Sequence, residues 1–374
     1  MGLSIKLGEH ATIRQLVDSA PVLPPPPILT PTLQINLDLS ILIALVSDLT
    51  HAPLPESVGA VHERFIPSVA YVEWKRSRLR TKSGGRGDNT NTSREDTEDP
   101  LDSTQHSRAL AAQLQQEMDK GIFQEIHERL VICQRQSSPD GPTHDPVPLP
   151  QGVPPLVEFW TTSEARDRCL RIVDKIGGPT EKHRARALLP TSSVDGGATP
   201  SLSEQEAQYW ADSRHQRSFL SLLPIRIFST SDPPSPPSSQ PVKFFSALEA
   251  TCRALLAVGG APHPRSTESE VMGADEGEGG EIQRASVVRT NARLTTHTVQ
   301  SMLYGAARGW TTLTANRASV KAILREVKMR GYGVDARGGD DDAAKYAALW
   351  VIDPRSLAEG MRSDLDVVDS YPPV

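Results

Sequence analysis

A chain of 374 residues is long enough for two or three average domains, but 31 prolines, 26 glycines and several long polar runs leave less of it for a core, so one domain with long insertions is expected. A hydrophobic fraction of 37% and a mean hydropathy of -0.36 are low for a compact enzyme of this length. A formal net charge of -6, with an isoelectric point near 6.0, excludes a protein that coats nucleic acid or anionic membrane through bulk charge, so any nucleic-acid contact has to be local.

Residues 1–32 end in PVLPPPPILTP, a polyproline II segment expected to be a tail or spacer. The domain is expected to span 33–359. It opens on LQINLDLSILIALVSDLT, in which Leu33, Ile35 and Leu37 alternate with Gln34, Asn36 and Asp38, and Ile41, Leu42, Leu45, Val46 and Leu49 then recur at the spacing of one helix face. This is a strand running into a helix, with Asp38 at the carboxyl end of the strand, where open α/β sheets bind ligands. The competing reading is that Asp38 or Ser40 caps the helix. Next comes VAYVEWKRSRLRTK, where Tyr71 and Trp74 stand among Lys75, Arg76, Arg78 and Arg80. Such interleaving can hold single-stranded nucleic acid by phosphate pairing and stacking, and it equally fits a nuclear-import signal or a solvated helix face.

Composition places disordered insertions near 83–106, 136–155, 190–205, 229–242 and 261–288, and a tail at 360–374. Between them, Leu110, Leu114, Met118, Ile122, Ile126 and Leu130 predict one amphipathic helix over 107–135. Leu156 to Trp160 suits a buried strand. Thr161 and Glu164 have the form of a capping box for a helix that runs to Ile176, with Leu170, Val173 and Ile176 inward, and Gly177-Gly178-Pro179 stops it. Helices are predicted over 180–189, 209–220, 244–258, 295–307 and 319–328, and strands over 222–228, 311–314 and 347–352. Strands alternating with helices predict an α/β, mostly parallel sheet, and no internal repeat is visible.

The three cysteines, Cys133, Cys169 and Cys252, have neither CxxC nor Cys/His ligand spacing and suit a reducing compartment. No signal-like run opens the chain, and the apolar stretch around Ile41 to Val46 is far too short to span a bilayer. A soluble intracellular protein with no membrane partner is expected, cytoplasm and nucleus both remaining open. Met1-Gly2 would begin a myristoylation signal, but Lys6 stands where Ser or Thr is required.

Four blocks carry a resemblance: INLDLSILIALVSDLTH at 35–51, EARDRCLRIVDKIGGPTEKHRARAL at 164–188, GWTTLTANRASVKAIL at 309–324 and ALWVIDPRSLAE at 348–359. The chain resembles the eukaryotic PIN-like family catalogued as domain of unknown function 1308, over about a fifth of its length; IGGPTEK and LTANRASV are the distinctive segments. The resemblance implies a Rossmann-like fold that gathers acids from separate strand ends around Mg²⁺ or Mn²⁺ to cleave RNA. Hard divalent cations prefer carboxylate oxygens, and two such ions activate a water and steady the leaving oxygen.

On this resemblance Asp38 is the first acid and a metal ligand. Glu164 is the candidate second acid, although the family position falls at Ser163, and one residue on a helix is a rotation of about 100°. The third acid is expected in SMLYGAARGW, which holds no carboxylate, and the fourth position is Asn316. Thr314 and Ser319 would orient a phosphate or a water, or cap the following helix. Asp340-Asp341-Asp342 could supply missing charge or be a solvated loop. The expected function is a degenerate or weak metal-dependent ribonuclease. The alternative is a non-catalytic module that binds RNA or a protein. A nucleotide-binding enzyme ranks last because no GxGxxG or GxxxxGK[ST] is present.

Overall fold

The strand and helix predicted at the start of the domain form as strand β1 (Gln34–Leu37) and helix α1 (Leu39–Val46) of a computed structural model, in which residues 29–65, 100–137, 157–190, 200–217, 219–228, 243–261, 286–289, 291–331 and 346–362 are described. Asn36 and Asp38, the polar side of the alternation, are nevertheless buried, because β1 is a central strand covered on both faces. The helix stops short of its predicted end and restarts as α2 (Asp48–His51). Ser47 makes the break: its hydroxyl accepts from Leu49 N at 3.1 Å and donates to Ser356 O at 2.6 Å. Helix α3 (Val58–Arg64) follows.

The helix predicted over 107–135 is two, α4 (Pro100–Asp119) and α5 (Ile122–Ser137). At the break the Glu117 carboxylate turns to accept Ile122 N at 3.1 Å. Residues 100–106, assigned to an insertion on composition, belong to α4. Strand β2 (Glu158–Thr162) leads into α6 (Ser163–Ile176), then α7 (Pro179–Leu188) and α8 (Leu202–Trp210), and β3 (Arg226–Phe228) closes this half. Three expectations change here. Thr162, not Thr161, caps α6, its hydroxyl accepting from Ala165 N at 2.9 Å, while Thr161 donates to Leu37 O at 3.0 Å. Ile176 points outward at the helix end, 62% exposed. The helix predicted over 209–220 lies at Leu202–Trp210 instead, so 202–205 are not insertion; the Ser201–Glu204 capping box is the start signal that composition concealed.

The second half runs α9 (Lys243–Ala257), β4 (Gly260–Ala261), β5 (Val287–Val288), β6 (Asn291–Thr295), α10 (Thr296–Arg308), β7 (Thr311–Thr314), α11 (Arg317–Met329), β8 (Leu349–Val351) and a 3₁₀ turn, Glu359–Met361. Strands β4, β5 and β6 make a small antiparallel sheet that the sequence reading did not anticipate, since two-residue strands carry no period.

The main sheet has the order β3-β2-β1-β7-β8, every pair parallel. Winding proceeds from β1 outward to β3, then returns across β1 to β7 and outward to β8. The architecture is therefore a Rossmann-like α/β fold, and its topological switch point lies between the carboxyl ends of β1 and β7. One core packs α1, α5, α6, α7 and α8 on the Ile35, Leu37 and Phe159 face, and a second packs α9, α10 and α11 on the other side. Among the described residues, no helix is long and apolar enough to cross a membrane.

The IGGPTEK and PRSLAE segments meet at the start of α7. Glu181, fully buried, accepts from Gly178 N at 3.0 Å, Asp48 N at 2.9 Å and Ala358 N at 2.9 Å. Glu359 covers the helix end, accepting from Thr180 N and Glu181 N, each at 2.9 Å. A Cβ at position 178 would collide with the Glu359 carboxyl, so glycine is needed there for close approach. Nearby, buried Glu117 pairs with Arg355 at 2.7 Å and with Arg214. Removing one partner of a buried ion pair leaves an uncompensated charge, so Arg355→Leu should lower unfolding free energy by about 3 kcal/mol in urea denaturation. An unchanged midpoint would mean that Arg214 alone satisfies Glu117.

Candidate functional site at the sheet switch point

Asp38 follows β1 directly, and its N–H donates to Leu313 O of β7 at 3.0 Å, which fixes it at the mouth of the switch point. Its φ of -75° and ψ of 159° are extended, the conformation of a helix N-cap. One carboxylate oxygen, Oδ1, accepts from Leu39 N at 2.8 Å. The other, Oδ2, accepts from Thr314 Oγ1 at 2.8 Å and Ser40 Oγ at 3.0 Å. Each hydroxyl is itself positioned by a backbone donor: Ala315 N donates to Ser40 Oγ at 2.9 Å, and Asn316 N donates to Thr314 Oγ1 at 3.1 Å. Ser40 and Thr314 lie 3.2 Å apart, but with both protons directed at Asp38 that contact is not a further bond. The result is a closed set of hydrogen bonds tying β1, the start of α1 and the end of β7 together.

The carboxylate is only 2% exposed. Burial raises its pKa above the ordinary aspartate range, although the bonds from Thr314, Ser40 and Leu39 favour the charged form and oppose the shift. Capping and the expected ligand position thus coincide in one side chain.

The other candidate residues are distributed along the same edge. Asn316 caps α11, its Oδ1 accepting from Ser319 N at 3.0 Å, and the Ser319 hydroxyl donates to Arg293 O at 3.2 Å. Thr314, expected to orient a phosphate, donates to Asp38 instead. Glu164 lies in the first turn of α6 with a side chain 38% exposed, and pairs with Arg168 at 3.7 Å; it shares no hydrogen bond with Asp38. A group missed in the sequence, His297 at the start of α10, lies close enough to Arg168 to feel its charge. Burial first, and Arg168 second, lower its pKa to about 4, so it is neutral at physiological pH. A lone histidine inside a helix pattern gave no signal of this.

Among the described residues, no group of three or more His, Cys, Asp or Glu side chains is arranged to hold a metal ion. Asp38 has both oxygens engaged from within the protein, and Asn316 has its side-chain oxygen engaged as a cap. This donor set does not fit Mg²⁺ or Mn²⁺, which need several converging oxygens to offset dehydration. Tyr71, Trp74, Lys75, Arg76, Arg78 and Arg80, and Asp340 to Asp342, lie outside the described residues.

A carboxyl whose folded pKa is raised binds more protons folded than unfolded, so its contribution to stability falls as pH rises from the ordinary aspartate value of about 3.9 through the folded value. Asp38→Asn keeps an oxygen for the Leu39 cap but turns an amide toward the Thr314 and Ser40 hydroxyls, so the raised pKa is read from the pH dependence: the variant's melting temperature relative to the parent's should rise between about pH 4 and pH 7. A difference between the two that stays constant over that range, or moves in the parent's favour as pH rises, would contradict the raised pKa. Comparison of the chain with protein-family models, with curated proteins and with solved structures gives no match.

Proposed function

We propose that this chain is a degenerate PIN-like domain, a nuclease-type fold that retains the first acid of a metal-dependent ribonuclease and has little or no hydrolytic capacity of its own. One observation carries the reading: the buried Asp38 carboxylate stands at the switch point of a parallel sheet whose strands are ordered β3-β2-β1-β7-β8. That is where an open α/β sheet binds its ligand, and it is where RNA-cleaving PIN domains carry their first acid.

Two-metal phosphodiester hydrolysis needs enough negative charge to hold two divalent ions, one activating water and one steadying the leaving oxygen. Asp38 is turned inward to Leu39, Ser40 and Thr314, Glu164 is paired with Arg168, and Asn316 is neutral. The chemistry that remains to these residues is binding and positioning. A non-catalytic RNA-binding module is the second reading, favoured by the aromatic and basic sheet face described next.

Purified full-length protein incubated with single-stranded RNA and Mn²⁺ should cleave at a trace rate that Asp38→Ala does not change. Rapid Mn²⁺-dependent cleavage that Asp38→Ala abolishes would overturn the degenerate assignment and identify a working metal nuclease.

A further inference from the structure

Among the described residues, part of one sheet face carries aromatic rings and arginines with no helix packed over it. In register across the sheet, Arg226, Trp160, Asn36 and Thr312 form one row. The Asn36 amide donates to Ser301 O of α10 at 2.9 Å, so this row faces α10. Helix α10 packs chiefly on β1 and β7, and leaves β2 and β3 to be edged by its own Tyr304 and Arg308. There stand Trp160 and Phe228, with Trp310 beside them: ring centroids lie 5.0 Å apart for Trp160 and Trp310, 6.5 Å for Trp160 and Phe228, and 5.6 Å for Phe228 and Tyr304. Phe228 is buried beneath the others, while Trp160, Trp310 and Tyr304 are partly exposed.

Two guanidinium groups are set into this array. Arg308 lies 4.5 Å from the Phe228 centroid and 5.5 Å from those of Tyr304 and Trp310. Arg226, with a side chain 53% exposed, lies 5.4 Å from the Trp160 centroid and pairs with Glu158 at 2.9 Å. By register, Asp38 stands on the row of Thr162 and Phe228, so the face ends at the same edge as the switch point.

We propose that this face is a stacking platform for single-stranded RNA, with bases laid on Trp160 and Trp310 and phosphate met by Arg226, while Arg308 holds the rings in place from within the array. The proposal rests on the RNA-directed reading of the fold and supplies its binding surface. Rings accept any base through its π-face, and arginine beside a ring both neutralises phosphate and holds the ring in place. The overall charge of -6 disfavours binding through bulk charge, so an RNA contact has to be a local patch of this kind. Double-stranded RNA hides its base faces and would not use it.

The test is fluorescence anisotropy of a short labelled oligouridylate titrated with full-length protein at low salt in EDTA, so that binding is read without cleavage. Trp160→Ala should weaken binding about tenfold, Trp160→Phe should keep most of the affinity, and Arg226→Glu, a change at an exposed side chain, should weaken binding and flatten its salt dependence. Circular dichroism confirms folding of each variant. The duplex of the same sequence should compete poorly. Absence of oligouridylate binding by the parent, or unchanged affinity in both Trp160→Ala and Arg226→Glu, overturns the platform. Binding that depends on these residues while Mn²⁺-dependent cleavage follows Asp38 would refute the degenerate-nuclease reading and leave the platform standing.

Discussion

The carboxylate of Asp38 is the constraint around which the fold is arranged. Placing an acid at the end of a central parallel strand buries it on both sides, and an unpaired buried carboxylate would cost several kcal/mol. Leu39 N, Ser40 and Thr314 supply the donors that prevent this, and in doing so they fix where α1 begins and how far β7 extends past β1. The same bonds consume the lone pairs that a metal ion would use. One side chain thus serves the fold directly, and any ligand at the switch point has to compete with the protein for it.

A second set of buried carboxylates holds the end of the domain in place. Glu181 and Glu359 satisfy the backbone donors at the start of α7, and Glu117 binds Arg355 from the other side of the same segment. Two segments of the blocks that carry the resemblance, IGGPTEK and PRSLAE, are therefore complementary halves of one contact. Their residue types follow from packing: glycine at 178 because a carboxyl lies over it, proline at 179 because that N–H has no partner to lose, and glutamates because helix N-termini attract negative charge. A motif of this kind identifies a fold more securely than a reaction.

The elements that were legible in the sequence are those with a clean period. Strand β1, helices α6, α7, α9, α10 and α11, and strands β7 and β8 stand within a few residues of their expected places, because alternation or helical spacing is strong there. Errors arose where tertiary contacts override the period. Ser47 breaks a continuous apolar helix by bonding Ser356, far along the chain, and Glu117 breaks another at Gly121. Asn36 and Asp38 gave the alternation of a half-exposed strand yet are buried, since a polar residue can be satisfied inside by partners that only the fold supplies. The position of Asp38 as a site was readable, but the ring of hydroxyls that closes it was not. The aromatic face escaped notice because Trp160, Phe228, Tyr304 and Trp310 are scattered through the sequence and meet only across strands.

The central claim is that Asp38 is closed by hydroxyls rather than by a cation, and carbon-13 NMR titration of aspartate-labelled protein tests it most directly, with the Asp38 resonance assigned by its loss in Asp38→Asn. The account predicts an Asp38 carboxyl that titrates above the ordinary aspartate range and does not move when Mg²⁺ is added. A carboxyl that Mg²⁺ drives well below that range would show a cation at the switch point and contradict the account.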